Sequence, residues 1–517
     1  MEYDGRTASE LYGHLESERW HYLERGRDCA AVTIPHLLPK DGFNYTEDFN
    51  APYFGTGAAG VNSLSASLLL AILPPNSSFF RLRLDTVAQQ DLEGLDDSKA
   101  EIEHALSLIE REILAETERR SYRTALYQAL RQLIVVGNVL LYFHDDGIKV
   151  IKLESYVVQR SPNGDVQKIV IKEEVPQDKI PLQYINDEAM SDPIRKTYAV
   201  YTCVNYDQDM ATVHQEIGGH VLEGSYVEHE KEDCPYLALR FIRVDGENYG
   251  RSFCEELLGE LQTGEALQQS IVEASAAMAK LLVLVSPTGL TRPRDIADAP
   301  NLSVRTGSAN DVTFLQAQKH ADLSVAQQTI STINERLARQ FMLAEGSIRN
   351  AERVTAAEIR MIQDQLERSL GGVFSLLSQE LQLPMVRLLM RQMKEEGVLP
   401  QWPEDMVEPV IVTGVLAMGR SADNLRLQEF IASAQQTLGP DVLSQYINVT
   451  EWFKRKAASL GIETKDLIKS QQEMAQEQQA QMQAQMQAQG GQQAIQTMGD
   501  IVKEQAKSNS LETPELE

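Results

Sequence analysis

Two stretches of this chain keep apolar residues at a helical period, and they flank an excursion with a different composition. In the first, Phe253, Leu257, Leu261, Leu267, Ile271, Ala274, Met278 and Leu282 recur on one face. Over about thirty residues at 1.5 Å each, that predicts a rod of roughly 45 Å. Ser252 with Glu255 supplies a capping box at its start. In the second, Leu323, Ala326, Ile330, Ile333, Leu337 and Phe341 fall alternately three and four apart from Asp322 onward. The segment between, Ser286 to Gln318, is rich in Pro, Gly and Thr. The order predicts a hairpin of two amphipathic rods, each with a seam that needs covering. Beyond it, Gly346 and Ser347 break helical propensity, so Ala344 to Arg353 reads as a mobile loop. Thr355 with Glu358 then caps a long helix, kinked at Gly371, Gly372 and Pro384 and ending near Gly397.

The region before the first rod alternates in character. Thr7 and Glu10 have capping-box spacing, which predicts an opening helix that ends before Pro35. Further helices are expected over Val61 to Leu73, stopped by Pro74 and Pro75, over Ser98 to Arg119, and over Tyr122 to Val136. Between Val139 and Arg243 the period changes to two. Strands are predicted at Val139–Phe143, Lys149–Leu153, Tyr156–Gln159, Val166–Lys172, Tyr198–Val204, Ala211–Gln215 and Leu237–Arg243, with a hairpin turn at Asn163 and Gly164. The fold class read from this pattern is α+β, mainly α-helical. The near-uniform Gln, Ala, Met and Glu of Ser470 to about Gln493 buries little and reads as frayed helix or disorder.

A chain of 517 residues exceeds one core, so several substructures are expected. The formal net charge of -27 argues against a protein that grips nucleic acid with a basic surface. It suits a conduit, because DNA that must slide should not adhere to the wall. The carboxylates of Asp85 to Glu118 read as a solvated helix face rather than an ion site. Cys29, Cys203, Cys234 and Cys254 are scattered, without a C-x-x-C pair or a histidine at zinc spacing, and read as buried free thiols in a reducing cytoplasm. The histidines lie apart from one another and read as surface or packing residues. The start is polar and acidic, and the apolar runs Leu64–Leu73 and Leu133–Phe143 fall short of the ~20 residues that span a bilayer, so no membrane insertion is expected.

The turn from Gly55 through Gly57 to Gly60 formally matches G-x-G-x-x-G. Tyr45 to Tyr53 before it is polar and contains Pro52, so no buried strand feeds the turn, and no βαβ repeat follows. The glycines read as loosening a loop before a packed helix. The sequence contains no Walker A, G-x-S-x-G, H-E-x-x-H or EF-hand pattern. The reading is therefore a protein that is not an enzyme and uses no cofactor.

Several segments carry a resemblance together: Val61–Pro74 (VNSLSASLLLAILP), Val136–Tyr142 (VGNVLLY), Ser155–Arg160 (SYVVQR), Arg243–Ser252 (RVDGENYGRS), Glu352–Arg360 (ERVTAAEIR) and Leu370–Pro384 (LGGVFSLLSQELQLP). In order and spacing they resemble the portal, or head-to-tail connector, family of T7-like short-tailed bacteriophages, from about residue 10 to about residue 420. The resemblance implies a ring, usually of twelve copies, around a central channel at one capsid vertex. It implies these parts: a wing over 1–249, a first stem helix over 250–285, a clip over 286–318, and a second stem helix over 319–342. A tunnel loop over 343–354, a long kinked wing helix over 355–397, crown-side helices over 398–470 and a Gln-rich tail over 471–517 complete it.

Within those roles, Arg336, Arg339, Arg349 and Arg353 are the candidates for contact with DNA in the channel, and Arg292, Arg294 and Arg305 for clip contacts. The plain alternative for each is a surface arginine in a local ion pair. The implied partners are further copies of the chain, major capsid and scaffolding proteins, the terminase large subunit, a tail adaptor, internal core proteins, and double-stranded DNA in transit. Two other readings stand beside this one: a nucleotide-dependent enzyme built on the Gly55 turn, and an adaptor or internal core protein of a virion. The helix, excursion, helix, loop, long-helix order distinguishes a portal from a small adaptor.

Overall fold

The structure, a computed structural model, describes residues 7–43, 46–75, 78–84, 96–181, 184, 197–278, 282–297, 300, 303–304, 306–315, 320–343, 366, 370, 372–399, 407–411 and 433. The chain divides into two units, Met1–Gly414 and Val415–Glu517, and the elements below belong to the first. Thr7 Oγ1 accepts from the Glu10 N–H at 3.3 Å while the Glu10 carboxylate accepts from Thr7 N at 3.0 Å, and this reciprocal cap starts α1, Ala8–Ala31. Helix α2, Thr56–Ile72, begins ahead of the expected Val61 and stops before Pro74. Strand β1, Phe80–Leu84, is followed by α3, Asp96–Arg119, and α4, Tyr122–Val136. Gly137 closes α4 with φ +82, and a Cβ there would lie 2.7 Å from the Arg251 carbonyl carbon. Only glycine serves both demands.

The acidic block is not simply a solvated face. Glu110 and Glu116 are buried on α3. Glu110 accepts from Leu82 N at 2.7 Å and from the Arg81 guanidinium at 2.9 Å. Glu116 accepts from Arg120 at 2.5 Å, and Arg120 reaches on to Gln392 and Glu396. Glu110 is held inside by a cation from β1, and Glu116 by Arg119 and Arg120 at the end of its own helix.

Among the described residues nine strands follow, seven of them where alternation predicts and β8 and β9 in addition: β2 (Asn138–His144), β3 (Gly147–Ile151), β4 (Tyr156–Arg160), β5 (Val166–Pro176), β6 (Thr197–Asp207), β7 (Met210–Ile217), β8 (His220–Val221), β9 (Val227–Glu230) and β10 (Tyr236–Arg240). One antiparallel sheet has the order β4-β5-β6-β7-β8, with β9 also on β7, and a second has the order β10-β2-β3. The β4–β5 turn is the expected hairpin, with Gly164 at φ +91. Helix α1 lies across one face of the larger sheet, where Ala8, Tyr12 and Leu15 pack with Val157, Val170 and Cys203. The buried Arg19 donates to the carbonyls of Leu153, Glu154 and Tyr156 and to Tyr12 Oη, so one guanidinium satisfies the corner where β4 begins.

The first rod departs from the expectation at both ends. Ser252 caps only a short turn, α5 (Phe253–Glu256), and Leu257 leaves helical geometry before α6, Leu258–Met278. The continuous rod is therefore roughly 31 Å long rather than roughly 45 Å. Leu282 is not helical: β11, Leu282–Val285, pairs with β12, Val312–Leu315, in antiparallel register. A Leu-Val-Leu-Val run suits a pleated ladder once a partner strand is available, and that preference overrides the helical period. Between these strands lies α7, Pro293–Ala297, and after them α8, His320–Gln340.

The end of the kinked helix is α9, Gly372–Leu377, a π-helical turn at Ser378–Gln382, and α10, Leu383–Glu395. Pro384 has no N–H to continue the ladder, and the widened turn just before it absorbs the mismatch. Gly397, at φ +73, ends the helix where expected. Strand β13, Val407–Ile411, pairs with β1 more than 300 positions earlier, a strand inside the region expected to be helical. The Thr355 cap, the tunnel-loop segment from 344, Arg305, Arg349, Arg353 and the Gln-rich tail lie outside the described residues. No helix among the described residues is long and apolar enough to cross a membrane.

Candidate DNA channel

The two rods pair as a hairpin. Glu260 near the start of α6 lies 4.0 Å from Arg336 near the end of α8, and at the far end Leu282 pairs with Leu315, so the rods run antiparallel. The predicted seam of α8 is graded. Ile333, Leu337 and Phe341 at its root are buried, whereas Leu323, Ala326 and Ile330 toward the far end are only half-buried. On α6, Leu261 is buried, Leu267, Ile271 and Ala274 are half-buried, and Val272 is exposed. Two helices alone cannot cover a seam along its length, and here they cover it only where the rest of the subunit helps.

That help comes from α2. A Cβ on Gly60 would stand 2.4 Å from Phe341 Cγ, and one on Gly57 would stand 2.8 Å from the Val32 carbonyl and 3.2 Å from Leu261. Gly57 and Gly60 therefore let α2 approach the root of the hairpin. Phe341 packs edge to face on Phe253, centroids 5.4 Å apart. Thr56 Oγ1 donates to Asn334 Oδ1 at 2.6 Å, and the Glu265 carboxylate accepts from Tyr53 N and Phe54 N at 2.9 and 2.7 Å. At the end of α8, Met342 takes φ +53 and Leu343 N donates to Ala338 O at 2.8 Å, a reversal that sends the chain away from the rod.

The segment Arg243–Ser252 ties the root to the sheets. Asn138 Oδ1 accepts from Gly250 N at 2.7 Å while its amide donates to Gly250 O at 2.9 Å. Tyr249 Oη accepts from Val158 N, and Asn248 Oδ1 accepts from Arg160 N. Arg251 bridges Glu247 at 2.6 Å and Glu255 at 2.8 Å, with the Tyr22 ring under both Arg25 and Arg251. The Arg251 hydrogen bonds hold the Glu247 carboxyl below its ordinary range against a smaller opposing effect of burial.

The surface chemistry of the hairpin is mostly uncharged. Gln262, Thr263, Gln269 and Ser270 are exposed on α6, and Gln327, Gln328, Ser331 and Thr332 on α8. Between its ends α6 carries Glu260, Glu265 and Glu273 and neither lysine nor arginine. Of the channel candidates, Arg336 and Arg339 both lie on α8 near the root. Arg336 is 63% exposed with only the 4.0 Å contact to Glu260, and Arg339 is 80% exposed and 3.7 Å from Glu335. Each holds a loose, solvated partner, the kind of pair that exchanges readily.

In the excursion, Asp311 organises the loop. Its Oδ2 accepts from Leu290 N at 2.8 Å, Thr291 N at 3.1 Å and Thr291 Oγ1 at 3.1 Å, and Ser308 N donates to Thr291 Oγ1 at 2.9 Å. Sequence reading missed this centre, since an Asp twenty residues from the groups it caps leaves no local spacing to find. Arg292 and Arg294 are exposed, and among the described residues no carboxylate lies within ion-pair distance of either. Leu290 at 88% and Val304 at 97% exposure leave apolar surface on the same excursion.

The chain matches the family model of the bacteriophage head to tail connecting protein over residues 6–468. It is 38% identical to the portal protein of Escherichia phage T7 over 484 residues, 91% of this chain and 90% of that one. It is 37% identical to the portal protein of Enterobacteria phage T3 over 480 residues, 91% and 89% of the two chains. Among solved structures, a chain from the neck of an empty gene transfer agent particle matches at 11% identity and a TM-score of 0.35, covering 84% of this chain and 94% of that one, a likeness too distant to bear on the fold. With the family match running almost end to end and two relatives alike along nine tenths of their length, the chain belongs to the bacteriophage head-to-tail connecting protein family.

Proposed function

We propose that this chain forms the portal ring at one vertex of the phage capsid, with the α6–α8 hairpin as the wall of a DNA channel. Portal function in the head-to-tail connection of the virion follows from family membership. The observation that carries the channel assignment is the graded seam of the hairpin, buried at its root and half-exposed beyond it. A rod left open on its long side calls for neighbours of the same kind, and repetition about an axis supplies them as a closed ring, here of twelve subunits. The wall then presents glutamine, serine and threonine to the lumen side or to the next copy. A surface poor in cations displaces few counterions from DNA and holds it weakly, which suits sliding.

Arg336 and Arg339, loosely paired and solvated, are the groups on α8 that can exchange a carboxylate for a passing phosphate. Arg349 and Arg353, in the tunnel-loop segment 343–354, would add contacts of the same transient kind. The excursion over 286–318 serves as the clip, whose exposed Arg292 and Arg294, with Arg305, meet an acidic surface of the packaging motor and later of the tail adaptor. Segments 1–249 and 355–397 form the wing, which faces capsid, scaffolding and internal core proteins, and 398–470 the crown side. The chain supplies no energy of its own. Gly57 and Gly60 are used in packing, which supports the reading of that turn as structural, and the terminase large subunit is the ATP-consuming partner.

Negative-stain electron microscopy of the purified protein, with light scattering for mass, tests the ring. Rings of about a dozen subunits with a central hole are expected; a monomer or dimer at every concentration and salt would return the enzyme and core-protein readings. Arg349→Ala with Arg353→Ala should leave rings intact and lower DNA packaging or retention. Normal packaging by that double variant would remove the two residues from the channel.

A further inference from the structure

The larger wing sheet holds a polar cluster that the portal role does not use. In the β6–β7 ladder Cys203 stands directly opposite His214, and Tyr201 opposite Glu216. Because side chains alternate along a strand, Cys203, His214 and Glu216 share one face. It is the face covered by α1, in a layer otherwise built from Ala8, Tyr12, Leu15, Val157 and Val170. All three groups are buried, His214 to 1% and Glu216 and Cys203 to 4% exposure. One ligating atom from each lies within 4.8 Å of the others.

We propose that Cys203, His214 and Glu216 form a site for a zinc-class divalent metal ion between the wing sheet and the first helix. Two donors at i and i+2 on one strand and a third opposite on its neighbour converge on a single point above the sheet. Donors at 2.0–2.3 Å around a tetrahedral zinc stand roughly 3.3–3.8 Å apart. His214 Nε2 and Glu216 Oε1 are already 3.2 Å apart. Glu216 Oε2 is held at 2.6 Å by the N–H of Ala8, at the start of α1, which turns Oε1 toward the imidazole. Such an outer hydrogen bond fixes the orientation of a ligating carboxylate.

The sulfur is the telling member. Among the described residues it has no hydrogen-bond partner, although it is 4% exposed and faces two polar groups. A neutral thiol beside an imidazole and a carboxylate gains nothing there that a valine would not supply. A metal ion changes that balance, since a coordinated thiol gives up its proton and becomes the charge partner the ion needs. Thiolate, imidazole and carboxylate together select zinc over magnesium or calcium, which prefer all-oxygen shells. Water would complete the fourth position, and the ion would pin the start of α1 to the sheet.

The test uses the full-length protein purified without chelator. Elemental mass spectrometry should find roughly one zinc per chain. Chelator-treated protein given Co2+ should develop a thiolate-to-cobalt charge-transfer band and regain the unfolding temperature lost on chelation. Cys203→Ser should abolish the band and His214→Gln should weaken or shift it, whereas Cys254→Ser, buried elsewhere, should keep it. Wild-type protein free of metal that develops no band with Co2+ overturns the proposal without recourse to any variant. A band that survives Cys203→Ser overturns the ligand assignment.

Discussion

The larger sheet and the α6–α8 hairpin both present periodic apolar faces and end in opposite conditions. In the sheet, every strand from β4 to β7 has a neighbour on both sides or a covering element, and α1 closes one face with its own apolar stripe. In the α6–α8 hairpin, two helices share a seam that is buried at Phe341 and Leu337 and only half-buried at Ile330, Ala326 and Leu323, and Val325 beside its far end is 66% exposed. A sheet completes itself by adding strands from the same chain. A helical hairpin that must stand clear of its own subunit has no such recourse, and its missing contacts point to other copies. The difference separates what stabilises the subunit from what the subunit leaves for assembly.

That contrast can be broken at the root first. Phe341→Ala removes the ring that fills the space between α2, α5 and α8, and should cost about 3–5 kcal/mol in urea unfolding of the subunit. A loss below ~1 kcal/mol would mean the root is not sealed as described. Gly60→Ala should cost less, about 1–3 kcal/mol, because the added methyl meets Phe341 and either the ring or α2 must shift.

Toward the open end the expectation reverses. Val325→Ala should change subunit stability by no more than ~0.5 kcal/mol, while ring yield after concentration falls. A subunit effect as large as that of Gly60→Ala would show that the seam is sealed along its whole length. Among the arginines proposed for the channel, Arg336→Ala with Arg339→Ala should be nearly neutral for unfolding, since both are mostly exposed and loosely paired, and should reduce DNA retention in filled particles.

The smallest effect concerns pH. Arg251 lowers the folded-state pKa of Glu247, so this carboxylate stabilises the fold above the ordinary carboxylate value and the contribution is lost as pH falls through the lowered one. Glu247→Gln should therefore flatten the drop in unfolding temperature as pH falls below the ordinary carboxylate value. An unchanged slope would place the acid sensitivity elsewhere.

Much of the architecture could be read in advance because its causes are local. The Thr7–Glu10 box, the period of the α8 seam, the Asn163–Gly164 turn and the alternation from β2 to β7 each depend on residues a few positions apart. Where local preference competed with a distant partner, reading in advance failed. Leu282 kept a helical period but joined β12, and Val407–Ile411 became a strand only because Phe80–Leu84 lies beside it. The same holds for function. Arg336 and Arg339 were identifiable as cations on a predicted rod, yet their loose pairing and exposure required the fold.

What the sequence determined by itself, then, is the inventory of elements and their order: two seamed rods about an excursion, a mixed region before them, capped helices, and the motifs that carry the family resemblance. Periodicity and capping act over one or two turns and need no tertiary partner. What only the tertiary structure decided is how those elements use particular residues. It made Gly57 and Gly60 packing positions, drew Asp311 under Leu290 and Thr291, and set Cys203, His214 and Glu216 on one buried face. Each of these rests on a close approach or a strand register between residues far apart in the chain. Slipping the β6–β7 register by one residue would turn Cys203 away from His214 without altering a single local preference.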